Sequence, residues 1–292
     1  MTPHPRLPFS IRQWYPWAGL ALAAWLSLAL LLAWVSSGFR AIAGWPTFTG
    51  FGLVAAGLLF AAWLLLRQQE TLPRRLLYLV IGAAMLRLAL GAAWTVTLPR
   101  FGYGSDSEKA GYIMVDAFKR DQAAWELARS DQPLLAAYPQ YRKADQYGGT
   151  LLVSAALYRL FGAQTHFPLA MVMVTSAFSS LAVLLTWAFA RRAWNERSAT
   201  LAAWGVALYP EAVLQGSTQM REAFLITLVM AGFYGLVCYR QQHNWKGPAW
   251  MVFSLLLALF ISPPSAGLFL AVLALAALVS GSFHSGRKPG AS

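Results

Sequence analysis

Long apolar runs separated by short polar segments dominate the chain. The runs are Trp17–Val35, Phe51–Leu66, Leu76–Leu98, Phe167–Ala190, Ala199–Leu214, Ala223–Cys238, Ala249–Ile261 and Ala266–Val279. A membrane-crossing helix needs about 20 apolar residues, so the shorter runs must recruit flanking positions. The pattern predicts an all-α, polytopic transmembrane helical bundle of about eight spans. Residues 249–279 as one helix would reach roughly 45 Å, against a hydrocarbon core of ~30 Å. Two helices joined at "SPPS" fit better, because proline removes a backbone donor and disfavours helix at the residue before it. Thr150–Leu160, "TLLVSAALYRL", is too short to span and reads as a buried or interfacial helix.

Composition sharpens the picture. The chain is 58% hydrophobic and only 12% charged, where soluble domains carry about 25% charged residues. Its 13 Trp and 11 Tyr suit the aromatic belts of bilayer interfaces. The net charge of +12 lies between apolar runs, which points to span orientation and not to nucleic acid. With the N-terminus in the cytoplasm, 12 of the 23 Lys and Arg, including Arg6, Arg12, Arg287 and Lys288, fall on the cytoplasmic side. The short outer loops then carry only Arg40 and Arg221, as the positive-inside rule requires. The expected location is the cell membrane, multi-pass, with both termini cytoplasmic. The first run has no small-x-small site close to its apolar core and reads as a retained span. The single cysteine, Cys238, excludes an internal disulfide and a cysteine-based metal site. The expected organisation is two N-terminal spans (1–75), a transmembrane core (76–281) with an outer loop (99–149), and a disordered basic tail (282–292).

The outer loop draws attention next. Seven of the 11 acidic residues, Asp106, Glu108, Asp116, Asp121, Glu126, Asp131 and Asp145, lie between Pro99 and Gly149. Asp106 and Glu108 form a D-x-E pair at the mouth of the third span. Such a pair can supply a general base or hold a divalent cation, Mg2+ or Mn2+. It can equally be a solvated acidic loop. In "YIMVDAFKRDQAAWELA", Met114, Phe118 and Trp125 share one helical face, predicting an amphipathic helix on the outer interface. Asp116, Asp121 and Glu126, with Lys119 and Arg120, then form its wet side.

Other charges sit in less ordinary places. Arg87 lies at the centre of an apolar run, where a charge costs at least ~2.5–3.5 kcal/mol on insertion scales. It must face backbone carbonyls, a carboxylate such as Glu211, or an anionic lipid headgroup. Pro210 should end the helix before it. Glu222 is placed to cap the helix that follows, and Arg221 could bind a phosphate at the same helix end. Asp145 and Tyr147 precede Gly148-Gly149, which permit a tight turn or the close approach of a ligand. The four histidines are scattered without metal-ligand spacing, and no P-loop or G-x-S-x-G pattern is present.

Taken in order, Arg87, "SDSEKAGYIMVDA", "QYGGTLLVSAALYRLFGA", "MVTSAFSSLAVLLTWAFARRAWNERSATLAAWGVALYP" and "STQMREAFLITLVMAGF" resemble the GT-C glycosyltransferase superfamily. The likeness is to bacterial relatives of dolichyl-phosphate-mannose protein mannosyltransferases and covers about residues 76–279. The resemblance implies a GT-C transmembrane fold and inverting transfer of a sugar from a polyprenyl-phosphate donor to a protein, lipid or polysaccharide acceptor at the extracytoplasmic face. Asp106 would be the general base. Glu108 would be its neighbour or a metal ligand, and Arg221, Arg87 and Arg159 the groups on the leaving phosphate. A non-catalytic binder of lipid-linked sugars, or a transport or assembly subunit, is the competing expectation. A transporter ranks behind both, since no duplicated halves are visible.

Overall fold

The computed structural model describes residues 15–162 and 165–285, and the described chain is helical without strands. Among the described residues, four helices are long and apolar enough to cross a membrane. They are α2 (Trp45–Arg67), α3 (Arg74–Phe101), α7 (Pro168–Ala193) and α10 (Arg221–Gln242). Together they make the chain compatible with a helical membrane protein. Four shorter apolar helical segments accompany them: Leu22–Ser36 of α1 (Tyr15–Ser36), α6 (Gly149–Phe161), α11 (Lys246–Ile261) and Pro263–Leu278 of α12 (Pro263–Ser285).

The centre of the bundle is α7, whose apolar window is 94% buried within the protein. Helices α2, α3, α8 (Glu196–Leu208) and α10 pack around it. Its small and hydroxyl-bearing residues, Ala177, Ser179, Ser180 and Ala182, let neighbours approach closely. The hydroxyls of Thr175, Ser179 and Ser180 donate to carbonyls three or four residues back, so none is a buried orphan.

Two expectations about helix breaks meet different outcomes. Residues 249–279 do form two helices, α11 and α12, which meet at Ser262 and pack on one another. The run Ala199–Leu214 does not form one span. Pro210 divides it into α8, ending at Leu208, and the single-turn-scale α9 (Pro210–Gly216). Residues 282–285, expected in the disordered tail, are the end of α12; residues 286–292, with Arg287 and Lys288, and the N-terminal Arg6 and Arg12 lie outside the described residues.

The two ends of the bundle differ in kind. At one end, Glu70 in the α2–α3 turn is nearly buried and pairs with Arg192 and with Tyr234 Oη at 3.1 Å. Arg191 reaches the same turn through Thr71 O at 2.7 Å, and Arg75 pairs with Glu196. At the other end, the 102–148 segment folds over the helix termini as α4 (Asp106–Lys109), α5 (Val115–Arg129) and a short 3-10 turn, Leu134–Ala137. Arg120 of α5 reaches the α9–α10 turn, and Gly149 abuts the carbonyl of Phe260 at the end of α11. The acidic loop, the "GSTQMRE" turn and the "SPPS" turn therefore lie together.

Candidate functional site

Met114, Phe118 and Trp125 are only half-buried, with Trp125 packed against the core, and they are not the most deeply buried residues of this segment. Ala117, Arg120, Asp121, Ala124, Leu127 and Ala128 are buried instead. Arg120 is 6% exposed and Asp121 1% exposed, which overturns their reading as solvated. Asp116 and Glu126 do face outward. The spacing of Ala117, Ala124, Leu127 and Ala128 is itself a helical stripe, and it carries the two charges inward with it.

Asp121 is held by donors from three other segments. Tyr112 Oη donates to Oδ2, Tyr158 Oη of α6 donates to Oδ1 at 2.8 Å, and His166 Nε2 lies 2.8 Å from Oδ2. His166 stacks on Trp125, with ring centroids 5.1 Å apart, and Arg129 covers the same indole at 4.6 Å. Burial and the Asp121 carboxylate push the Tyr112 phenol well above its ordinary value. The network fixes the rotation of α5 and so the position of Arg120.

Arg120 is the centre of the site. Its Nη1 donates to Gln219 O at 3.1 Å. Gln219 offers that carbonyl by adopting φ +57°, a left-handed conformation uncommon for a residue with a Cβ. Its side chain is anchored by Nε2 to Pro168 O at 2.9 Å. The Arg120 Nε lies 3.8 Å from Asp145 Oδ2, beyond hydrogen-bond reach, and has no hydrogen-bond partner among the described residues. Burial lowers the Arg120 pKa from the ordinary arginine value, while Asp145 raises it back; Arg221, Glu222 and Asp116 also act on it through space.

Those neighbours include most of the residues singled out in the sequence. Arg221 lies over the Tyr147 ring at 5.3 Å and pairs with Glu222 at 3.2 Å. Glu222 Oε2 is buried without a hydrogen-bond partner among the described residues. Asp145 is buried and tied to the start of α6, accepting from Thr150 Oγ1 at 2.6 Å, Leu151 N at 3.1 Å and Tyr147 N at 3.4 Å. The turn before α6 requires glycine twice. Gly148 has φ +72°, and a Cβ on Gly149 would lie 2.1 Å from Phe260 O.

Below Arg120 is an apolar cavity of about 220 Å³, walled by α2, α6, α7, α10 and α11. Arg120, Thr150 and Gln219 supply its polar rim, and Leu58, Val174, Phe178 and Leu257 are among its apolar walls. A buried cation with an unused donor at the head of a greasy cavity is the chemistry of a site for an amphiphilic anion.

The remaining sequence candidates lie elsewhere. Arg87 is fully buried, and it pairs with carbonyls and not with Glu211. It donates to Ala83 O at 2.9 Å, Val206 O at 3.2 Å and Ala207 O at 3.3 Å. The last two are end carbonyls of α8, left without helical partners where Pro210 breaks the chain. Glu211 instead accepts from Tyr209 Oη and Gln215 Nε2. Arg159 is likewise spent, capping α5 through Leu127 O at 2.8 Å, Ser130 O at 3.2 Å and Gln132 O at 2.9 Å. Asp106 is exposed in the first turn of α4. Glu108 completes a capping box with Ser105, its Oε2 accepting from Ser105 N at 3.1 Å and Oγ at 2.9 Å. Those bonds hold its pKa below the usual carboxylate value. No group of three ligating side chains is found among the described residues.

In comparisons with known proteins, no family model, no curated protein and no solved structure matches the chain.

Proposed function

We propose that the chain is a multi-pass protein of the cell membrane, with about eight spans and cytoplasmic termini, that transfers a sugar from a polyprenyl-phosphate donor at its extracytoplasmic face. The observation that carries the reading is Arg120, buried at the head of an apolar cavity with a donor to spare. The isoprenoid chain enters the cavity, and the phosphate meets Arg120 and Arg221. Tyr147 fixes the Arg221 side chain over its ring. Arg87 and Arg159, which donate to backbone carbonyls, support the helices around the site.

The chemistry asked of the site is an inverting displacement. The acceptor oxygen attacks the anomeric carbon as the bond from that carbon to the phosphate oxygen breaks. The phosphate departs with the electron pair, stabilised by cations, and a carboxylate takes the acceptor's proton. Asp106 and Asp116 are the exposed carboxylates available near the start of the loop. Asp116 acts through space on Arg120, whereas Asp106 makes no side-chain hydrogen bond or ion pair among the described residues. The test is sugar transfer by the purified chain from a panel of polyprenyl-phosphate sugars. Asp106→Asn or Asp116→Asn lowers turnover about 100- to 10,000-fold if that residue is the base. Undiminished turnover in both variants removes the loop carboxylates from the mechanism.

The separation of Asp106 from the arginine cluster favours one second reading: a protein that binds lipid-linked sugars without turning them over. Donor binding that depends on Arg120, with no transfer to any acceptor, is its signature.

A further inference from the structure

A second polar pocket lies at the same end of the bundle and shares no lining residue with the cavity under Arg120. It is open, about 410 Å³, and formed where the α1–α2 turn, the end of α3 and the end of α4 converge. Arg40, Arg100 and Lys109, one from each of these segments, line it. None of the three side chains makes a hydrogen bond or ion pair among the described residues. Asp106 and Glu108 precede Lys109 on the same short helix, yet neither pairs with it, and Glu108 is committed to Ser105. Three like charges thus line one pocket whose lining includes no carboxylate.

The backbone around the pocket is built with care. Ser37 Oγ accepts from Arg40 N at 3.2 Å and Ala41 N at 2.9 Å, fixing the turn that presents Arg40. Within that turn Phe39, a non-glycine residue, is held at φ +68° with its ring edge-on to Trp34 at 4.8 Å. Such backbone conformations cost of order 1–3 kcal/mol and persist only where the surroundings impose them. Gly111, at φ +83°, lets the chain after α4 close onto α3; a Cβ there would lie 2.8 Å from Thr95 Cα. That close approach holds the end of α4 against α3, where Lys109 and Arg100 line the same pocket.

We infer that this pocket binds the phosphate group of a ligand, held by Arg40, Arg100 and Lys109. It stands whether or not the chain transfers sugar. Guanidinium and ammonium groups recognise phosphate through charge-assisted hydrogen bonds, and the pocket's position at a helix end serves a lipid headgroup and a soluble phosphate ester equally.

The test uses the full chain in phosphatidylcholine nanodiscs. One arm titrates inorganic pyrophosphate by calorimetry. The other measures retention of phosphatidic acid by native mass spectrometry. Wild type binds at least one probe, and which one identifies the source. Combined Arg40→Gln, Arg100→Gln and Lys109→Gln weakens that binding at least about tenfold, since the charged hydrogen bonds to the phosphate are lost. Combined Arg40→Lys and Lys109→Arg, which keeps the charges, stays within about threefold of wild type. The same loss recurs in a chain carrying Arg120→Met, which lacks the cation of the cavity. The inference fails if neither probe binds, if the neutral variant binds as wild type does, or if the charge-conserving variant loses as much as the neutral one.

Discussion

Replacing Asp121 with leucine should loosen the outer segment far more than removing either tyrosine that bonds to it. The carboxylate accepts from Tyr112, which is 7% exposed, and Tyr158, which is 0% exposed. Leucine orphans both hydroxyls away from water, at ~1–3 kcal/mol each, or ~2–6 kcal/mol together. His166, with its side chain 19% exposed, can turn to solvent and adds little. Removing the carboxylate also relieves the cost of burying a charge, so a net loss of ~2–4 kcal/mol is expected. Tyr158→Phe leaves the carboxylate two partners and should cost only ~0.5–1.5 kcal/mol. Amide exchange over Val115–Arg129 reads the difference, because local opening of α5 exposes those groups. Asp121→Leu should speed it roughly 30- to 900-fold, at 1.36 kcal/mol per decade. In a Tyr112→Phe, Tyr158→Phe background there are no hydroxyls to orphan, and the same substitution should cost much less. An Asp121→Leu effect no larger than that of Tyr158→Phe, or one unchanged in the double phenylalanine background, refutes the network.

Further outcomes follow from other contacts. Arg87→Leu strips two α8 end carbonyls of their donors and should destabilise the bundle by ~2–4 kcal/mol in detergent unfolding, while Arg87→Lys keeps part of that stability. Gly149→Ala forces a Cβ to 2.1 Å from a backbone carbonyl and should cost at least ~1–3 kcal/mol by the same assay. For Glu108 the sign is set by its depressed pKa. The folded form holds its proton less tightly than the unfolded one, so its contribution is present above the usual carboxylate value of about 4.3 and fades as pH falls through the lower folded value. Exchange of the α4 amides should rise over that acid window in wild type, and Glu108→Gln should flatten the rise.

Helix positions were largely legible in the sequence because long apolar runs leave few alternatives. Phe167–Ala190 lies inside α7 but for its first residue, Ala223–Cys238 lies inside α10, and Thr150–Leu160 inside the short α6. Ala199–Leu214 shows the limit of hydropathy, since it does not register that Tyr209, just before Pro210, leaves helical geometry while the residues around it stay apolar. The site was legible only in part. Asp145, Tyr147, Arg221 and Glu222 do gather, near Asp116, but around Arg120, which the pattern placed in water. The reason is physical. Met114, Phe118 and Trp125 are the larger apolar residues of this segment, yet they stay half-buried while Ala117, Ala123, Ala124 and Ala128 are buried. Asp121 is then held by Tyr158 and His166, and Arg120 by Gln219 O, partners distant in sequence that carry no local signal. Arg87 is the converse case. Its burial was evident from the run around it, but its carbonyl partners depend on how Pro210 breaks a helix 120 residues away.

The central claim is that Arg120 receives a phosphate whose lipid chain fills the cavity beneath it. The direct measurement is binding of a polyprenyl phosphate to the full chain, with Arg120→Met and Leu257→Trp as two independent lesions, one of the cation and one of the cavity. Losses of at least about tenfold in each, with binding of the phosphate probe at Arg40, Arg100 and Lys109 untouched, are what the account predicts. Wild-type affinity in both variants would contradict it.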